Sequence, residues 1–312
     1  MMTVFDRDAL TAIPPTDITD YLTAHGWRRD GTQGPAEIWS VTERHGVGTM
    51  VIVGDAFARP LLRRLDEDRA AGRSYDLSRF RFVISSGAMF AAETKAALLD
   101  HIPHLTIIDT IGASEGLMGM AVTVKGAPAE TGRFLPFPTT KVFTDDGREV
   151  APGSGEVGFL AAGGNVPVGY HKDEAKSART FREFGGVRYS LPGDLATVNA
   201  DGTITLLGRG NHCINSGGEK VFPEEVEEAV KTHPAVEDCL VFGVDDERFG
   251  QRVVAVVSPA EAGDPPTEGD LIAHVRTRLA PYKAPRQVAV VDAVPRTPSG
   301  KADYAAARAL LR

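Results

Sequence analysis

Short apolar runs that alternate with helical segments occupy residues 44–130, and this alternation constrains the fold more than any other feature. The runs GTMVIV, RFVIS and HLTIID are rich in β-branched residues, as buried parallel strands are. Between them, RPLLRRLDED and ETKAALLDHI have the apolar spacing of helices. Strands that alternate with helices predict an α/β fold, a mostly parallel sheet with helices on its faces.

The pattern changes at residue 131 to signals for antiparallel strands. TKVFTDDGREV and ATVNADGTITLLG each place Asp-Gly between two strand-like runs, which is a strong hairpin signal. Residues 131–207 are therefore predicted to form an antiparallel, barrel-like part of a large domain that spans 44–207. A glycine-rich joint, GRGN, then precedes alternating helix and strand patterns, which predict a small α+β domain over 208–312.

Composition and net charge limit the binding partners and the cellular compartment that the sequence is compatible with. The net charge is −8, whereas a protein that binds a nucleic-acid backbone presents a basic face, so no nucleic-acid partner is expected. No apolar stretch comes close to the eighteen residues that a membrane-spanning helix requires. The two cysteines, Cys213 and Cys239, form no CxxC motif, which favours a reducing compartment. With no secretory signal at the start, the sequence predicts a cytoplasmic protein.

Four segments carry side chains suited to nucleotide chemistry. DTIGASEG (109–116) follows a strand, where open α/β sheets bind ligands, and its Glu115 could hold Mg²⁺. RYSLPGDLA (188–196) places Asp194 after a Pro-Gly turn, and an ionised carboxylate can accept from both hydroxyls of a ribose. GRGNHCINSGGEK and PRTPSGKADY place Arg209 and Lys301 beside glycine turns. Each segment alone also fits an ordinary solvated turn.

In this order the four segments resemble those of the adenylate-forming superfamily, which comprises AMP-forming acyl-CoA synthetases, peptide-synthetase adenylation domains and luciferases. The resemblance covers about residues 45–312. The phrases IVGDAFARPLL, YDLSRFRFVISSGAMF and INSGGEKVFPEEVEE are most similar to the fatty-acyl or steroid-acid CoA ligase branch.

The resemblance implies a nucleotide site and a mobile small domain. The residues implied to contact ATP or AMP are Gly87, Ala88, Asp109, Gly112, Ser114, Asp194 and Arg209. Glu115 is implied to hold Mg²⁺, and Lys301 to bridge the substrate carboxylate and the α-phosphate. Asn211 is implied to be the hinge about which the small domain rotates. Gly217 and Gly218 are implied to line the path of CoA.

The implied function is ATP-dependent adenylation of a carboxylic acid, followed by thioester formation with CoA. The family's phosphate loop, rich in Ser, Thr and Gly and ending in Lys, has no counterpart before residue 45. Residues 1–43 are therefore interpreted as a small module unrelated to the family, joined to the C-terminal portion of a ligase. Within this module AEIWSV (36–41) alternates like a strand. The expected partners are a carboxylic acid, CoA, and a complementary N-terminal half or a second copy of the chain.

Two alternatives share these motifs. One is a catalytically silent remnant that binds nucleotide, CoA or a protein. The other is an adenylation domain that loads a carrier protein instead of CoA. The sequence identifies neither the acyl substrate nor the thiol.

Overall fold

The structure is a computed structural model that describes residues 35–260, 265–297 and 301–311. Its helices and strands belong to two β-sheets and the layers packed on them. In chain order they are α1 (Pro35–His45), β1 (Thr49–Ile52), α2 (Gly54–Ala70), β2 (Phe82–Ser86), α3 (Ala92–His101), β3 (Thr106–Ala113), β4 (Gly116–Thr123), β5 (Arg133–Pro136), β6 (Thr140–Phe143), β7 (Gly158–Ala162), α4 (Glu174–Thr180), β8 (Phe181–Phe184), β9 (Val187–Ser190), β10 (Asp194–Val198), β11 (Ile204–Arg209), β12 (Ile214–Ser216), β13 (Glu219–Val221), α5 (Pro223–Lys231), β14 (Val236–Asp246), β15 (Gly250–Pro259), α6 (Glu268–Arg276), β16 (Gln287–Val290) and α7 (Tyr304–Ala309).

Within the described residues, the large sheet has eleven strands in the order β1-β2-β3-β4-β5-β11-β10-β7-β9-β8, with β6 paired to β7. Strands β1, β2 and β3 are parallel, while β4 to β11 pair in antiparallel fashion. The parallel part and the antiparallel part are thus confirmed. They are continuous, because β4 pairs with β3 on one side and with β5 on the other.

The parallel strands bury one face against three helices. Ile52, Val83 and Ile107 point to this face and pack with Leu61 of α2 and Leu98 of α3. The helices supply the apolar layer that a parallel sheet requires on each face. We call this helix-covered side of β1 to β3 the inner face.

Helix α1 corrects a prediction from the sequence. Residues 36–41 were predicted to form a strand, and they belong to a helix that begins at Pro35. Trp39 is fully buried in the inner-face core, stacks edge-on against Phe80 at 5.9 Å and donates from Nε1 to the carbonyl of Leu61 at 2.9 Å. The predicted boundary after residue 43 falls inside this helix. The rest of the predicted module, residues 1–34, lies outside the described residues.

The small domain is a separate sheet with both faces covered. Its order is β13-β12-β15-β14, and β16 pairs in parallel with β15. Side chains alternate along β14, so Cys239 and Val241 pack with α5 and α6, whereas Leu240 and Phe242 pack with Ala307 of α7. A short 3-10 turn, Gly210–His212, joins this domain to β11. The predicted α+β domain is confirmed.

Candidate functional site

The predicted lysine of the small domain lies beside a predicted loop of the large domain. Gly87 follows β2 directly and has a φ of +86°, a conformation that favours glycine. A Cβ added there would lie 3.7 Å from Cε of Lys301 and 3.8 Å from Cγ1 of Val53. The structure therefore brings Lys301 and Gly87 together, although 214 residues separate them along the chain (301 − 87).

Lys301 is held by its backbone while its ammonium is free. The amide of Lys301 donates to Thr297 Oγ1 at 3.2 Å, and the amide of Thr297 donates to the carbonyl of Lys301 at 2.8 Å. Arg296 anchors the start of this loop through two hydrogen bonds to Asp238, at 2.6 and 2.7 Å. Among the described residues, the side chain of Lys301 forms no hydrogen bond or ion pair, so its charge is available to a ligand. The predicted Pro-Ser-Gly turn, 298–300, lies outside the described residues.

Asp194 and Arg209 form a second part of the site at the joint between the domains. They are register partners on β10 and β11, and Arg209 Nε lies 3.3 Å from Asp194 Oδ1. Removal from water raises the pKa of Asp194, and Arg209 opposes that rise. A cavity of about 850 Å³ opens beside this pair and is lined by Gly193, Arg209 and Lys220 among others. Asp194, predicted to bind ribose, and Arg209, predicted to contact the nucleotide, thus meet at the edge of a cleft.

Glu115 lies in the turn between β3 and β4, held by residues that the sequence did not reveal. The phenol of Tyr170 donates a short hydrogen bond to Glu115 Oε1, and Ser190 Oγ donates to the backbone carbonyl of Glu115 at 3.2 Å. Burial raises the pKa of Tyr170, and the bond to Glu115 raises it further. Lys176 Nζ lies 4.0 Å from the centre of the Tyr170 ring. Tyr170 therefore fixes the carboxylate predicted to hold Mg²⁺.

The other predicted site residues of the segment DTIGASEG are Asp109, Gly112 and Ser114, and they lie in different surroundings. Asp109 points to the inner face, where Lys95 Nζ lies 3.0 Å from its Oδ2, and both side chains are at most 5% exposed. Burial raises the pKa of Asp109, and Lys95 opposes that rise. Ser114 is exposed, and Gly112 faces Leu117 closely, since a Cβ added at 112 would lie 2.7 Å from Leu117 Cδ2. The predicted contact between Asp109 and the nucleotide stays a prediction, and in this structure its carboxylate is engaged by Lys95.

The predicted CoA-path glycines form the turn between β12 and β13. Gly217 and Gly218 have φ values of +63° and +88°. A Cβ added at Gly217 would meet Phe249, at 3.4 Å, and one at Gly218 would meet nothing within 4 Å. Asn211 lies in the 3-10 turn that joins the two domains, at the position predicted for a hinge. Lys301, and not the Gly217–Gly218 turn, faces Gly87 in this structure.

A polar contact holds the small domain against α2. The guanidinium of Arg59 donates to the carbonyls of Lys231 at 3.0 Å, Val236 at 3.3 Å and Glu237 at 2.5 Å. Lys231 Nζ also lies 4.0 Å from Asp55 Oδ2. Because these groups are charged or strongly polar, the contact is of the kind that domains make and release.

Glu224, at the start of α5, is a second domain contact that the sequence did not reveal. Its Oε2 has no hydrogen-bond partner among the described residues, and a Cβ added at Gly208 of β11 would lie 2.1 Å from it. Burial, reinforced by the nearby Glu227, raises the pKa of Glu224 to about 8. The close fit explains why glycine, at φ +116°, stands at position 208.

The described residues contain no group of three or more His, Cys, Asp and Glu side chains that could hold a metal ion. Mg²⁺ commonly binds through one or two carboxylates together with substrate phosphates and water. A single carboxylate such as Glu115 therefore fits Mg²⁺ that arrives with a nucleotide.

In the described part of the chain no helix is long and apolar enough to cross a membrane.

Two family matches cover most of the chain. Residues 23–171 match the AMP-binding enzyme family, and residues 225–301 match the AMP-binding enzyme C-terminal domain. The chain belongs to the AMP-binding, or adenylate-forming, enzymes. The first match takes in residues 23–43, which the sequence analysis assigned to a separate module.

Two relatives with extensive similarity are CoA ligases. A medium/long-chain-fatty-acid and 3-oxocholest-4-en-26-oate CoA ligase from Mycolicibacterium smegmatis is 49% identical over 272 residues, 86% of this chain and 49% of that protein. The medium-chain acyl-CoA ligase Mig from Mycobacterium avium is 44% identical over 96% of this chain and 51% of that protein. The structure of ATP-bound MatB from Rhodopseudomonas palustris matches with a TM-score of 0.73 and 25% identity, over 89% of this chain and 53% of MatB. The chain thus spans about half the length of the relatives it matches.

Proposed function

We propose that this chain is the C-terminal part of an AMP-forming acyl-CoA ligase, which adenylates a carboxylic acid with ATP and then transfers the acyl group to CoA. The observation that carries this proposal is the position of Lys301, whose side chain lies beside Gly87 at the end of β2 and has no charged or hydrogen-bonded partner among the described residues. The loop that carries Lys301 thereby presents a cation to the end of a sheet at which α/β proteins bind nucleotides.

The chemistry explains why a free cation is needed there. A carboxylate oxygen attacks the α-phosphorus of ATP, the new O–P bond forms, and the bond to the β-phosphate breaks so that pyrophosphate leaves. Both reactants are anions, and positioned cations lower the energy of the transition state. Lys301 supplies one positive charge, and Asp194 orients the ribose through its two hydroxyls. Mg²⁺ held at Glu115 would supply further positive charge to the phosphates.

The second step requires the thiol of CoA to attack the acyl carbonyl and release AMP. Lys301 occupies the approach beside Gly87, so the small domain has to turn about the joint at Asn211 before the thiol can enter. The Gly217–Gly218 turn would then replace the lysine loop. Its two glycines leave room for the narrow pantetheine chain because they carry no side chain.

The substrate class follows from the relatives. Those from Mycolicibacterium smegmatis and Mycobacterium avium are named for medium- and long-chain fatty acids and for a steroid acid. We propose a carboxylic acid with a large apolar body. No segment of residues 1–44 resembles a phosphate loop, so the exchange assay also supplies the preceding half of a relative.

ATP–pyrophosphate exchange tests the proposal. The chain is assayed with octanoate, palmitate and 3-oxocholest-4-en-26-oate, alone and co-expressed with the half of the Mycolicibacterium smegmatis ligase that precedes its match to this chain. We expect exchange only with both halves, and a loss of at least about 100-fold in Lys301→Ala, as for other groups that stabilise developing charge. Lys125→Ala, which removes an exposed lysine paired with Asp100, is the matched control.

Two results would contradict this function. ATP–pyrophosphate exchange that persists in the Lys301→Ala variant would show that Lys301 takes no part in adenylation. Absence of exchange in every combination, with AMP binding retained in calorimetry, favours the silent nucleotide-binding module. Thioester formation on a carrier protein but not on CoA would identify a carrier-loading domain.

A further inference from the structure

Helix α2 supports the loop that follows β2 through its first turn. The amide of Asp55 donates to the carbonyl of Met89 at 3.1 Å, and the carboxylate of Asp55 accepts from the amide of Ala91 at 3.1 Å. The packing is close, since a Cβ added at Gly54 would lie 2.3 Å from the carbonyl oxygen of Met89. The start of α2 is therefore fixed to the loop that contains Gly87.

One turn further along α2, Arg59 binds the small domain. Its guanidinium donates to the carbonyls of Lys231, the last residue of α5, and of Val236 and Glu237, the first two residues of β14. Asp55 Oδ2 lies 3.8 Å from Arg59 Nε and orients the guanidinium from within α2. Arg59 thus joins two elements of the small domain to the helix that supports the loop after β2.

The start of β14 also holds the loop of Lys301. Asp238, the next residue of the strand, accepts two hydrogen bonds from Arg296, which anchors that loop. The two side chains are only 19% and 20% exposed. A continuous series of contacts therefore runs from the loop of Gly87 through α2 and β14 to Lys301. We call the arrangement in which Lys301 faces Gly87 the docked position of the small domain.

The docked position depends on Arg59 because the carbonyls that it binds are not freely hydrated there. Lys231 and Val236 are 9% and 4% exposed. Without the guanidinium, their carbonyls would be buried and unpaired in the docked position, whereas water would bind them once the domain turned away. An acceptor left buried without a partner shifts such an equilibrium by about tenfold or more. Loss of Arg59 therefore destabilises one domain position and not the other.

We propose that Arg59 is a positioning residue for adenylation, which holds the small domain where Lys301 meets the substrates and has no role in the thioester step. The inference rests on the proposed function, because it assigns Arg59 to one of the two half-reactions. Arg59 acts through the backbone of the small domain and not on the reacting atoms.

Electron paramagnetic resonance distance measurement between two spin labels tests the docking without requiring activity. The labels are attached at Ala127→Cys in the large domain and Ala309→Cys in the small domain, both exposed, in a Cys213→Ser background. Cys239 is fully buried and is not labelled. We expect one dominant distance in the parent chain. In Arg59→Ala the ratio of that distance to all others should fall about tenfold, as expected for a buried acceptor without a partner.

The half-reactions show whether the contact matters for chemistry. In the co-expressed enzyme of the exchange assay, Arg59→Ala should lower ATP–pyrophosphate exchange about tenfold and leave thioester formation from supplied acyl-adenylate unchanged. Arg59→Lys should recover part of the exchange, because an ammonium replaces only part of the guanidinium fork. Arg69→Ala is the matched control, since Arg69 lies on the same helix but donates to Asp100 within the large domain.

Four outcomes overturn the proposal. They are a parent chain without a dominant distance, a distribution that Arg59→Ala leaves unchanged, an equal loss in both half-reactions, and an equal effect of Arg69→Ala. A distribution that shifts as expected, in a protein whose co-expressed enzyme shows no exchange even with Arg59 present, would support the docking by Arg59 and refute the proposed function.

Discussion

The buried pair of Lys95 and Asp109 allows a quantitative test of how the site is supported. Lys95 Nζ lies 3.0 Å from Asp109 Oδ2 and 3.1 Å from the carbonyl of Glu130, and both side chains are almost fully buried. Removal of one partner from such a pair leaves an uncompensated buried charge and costs about 3–5 kcal/mol. We therefore expect Lys95→Met to lower the free energy of unfolding by that amount.

The pH dependence of the loss provides an independent signature. Burial already raises the pKa of Asp109 while Lys95 is present, and without Lys95 the pKa rises further. A carboxyl whose pKa is higher in the folded state binds more protons there, so stability falls as pH rises between the unfolded and folded pKa values. Lys95→Met should therefore cost less at pH 5 than at pH 8.

The assay is urea unfolding at both pH values, followed through the fluorescence of Trp39 with Trp27→Phe in the background. Trp39 reports on the core in which the pair lies. The double variant Lys95→Met/Asp109→Leu should recover most of the loss, because an apolar pair can replace a buried ion pair. Lys125→Met breaks an exposed pair and should cost at most about 1 kcal/mol. A loss below about 1 kcal/mol in Lys95→Met, or a double variant no more stable than the single one, would refute the reasoning.

Two further predictions concern Glu224 and Tyr170. The pKa of Glu224 is about 8 in the fold, against 4.5 ordinarily, so its contribution to stability is present at low pH and is lost as pH rises from 4.5 to 8. Glu224→Gln cannot ionise and should unfold with a flatter pH profile, and a stability gap that fails to widen toward pH 8 would contradict this. Tyr170→Phe frees the carboxylate of Glu115 and, in the two-half enzyme, should raise the Mg²⁺ concentration for half-maximal exchange several-fold with little change in KM for the acid. An unchanged Mg²⁺ requirement would show that Tyr170 only packs against its neighbours and does not position Glu115 for Mg²⁺.

Short sequence patterns predicted the fold correctly where interactions between neighbouring residues determine the structure. The β10–β11 hairpin turns at Asp201-Gly202, and Gly202 has a φ of +80°, a conformation that glycine adopts readily. Residues 36–41 misled the prediction because six residues satisfy a period of two as easily as a helical one. The burial of Trp39 against Phe80, which no local pattern contains, decides in favour of a helix.

The site was predictable in part for the same reason. Motifs placed Asp194, Arg209 and Lys301 next to turns. In the structure Asp194 and Arg209 lie at paired ends of β10 and β11 near the joint, and Lys301 lies beside Gly87. Residues that position a predicted site residue, such as Tyr170 beside Glu115, were not predicted from the sequence, because their contacts join distant parts of the chain. Tyr170 and Glu115 are 55 residues apart, and no spacing rule links a tyrosine in one loop to a carboxylate in another.

The contacts between the domains also bear on the two proposed steps. In this structure the small domain presents Lys301 to Gly87, and Arg59 holds it there by donating to three backbone carbonyls. A turn about Asn211 would return those carbonyls to water, which satisfies them equally well, so the net cost of release is small. Glu224 would leave its place against Gly208 and could then ionise, which makes release more favourable as pH rises toward 8. A polar, ionisable contact of this kind suits a domain that has to occupy two positions, because polar domain contacts are released more readily than large apolar ones.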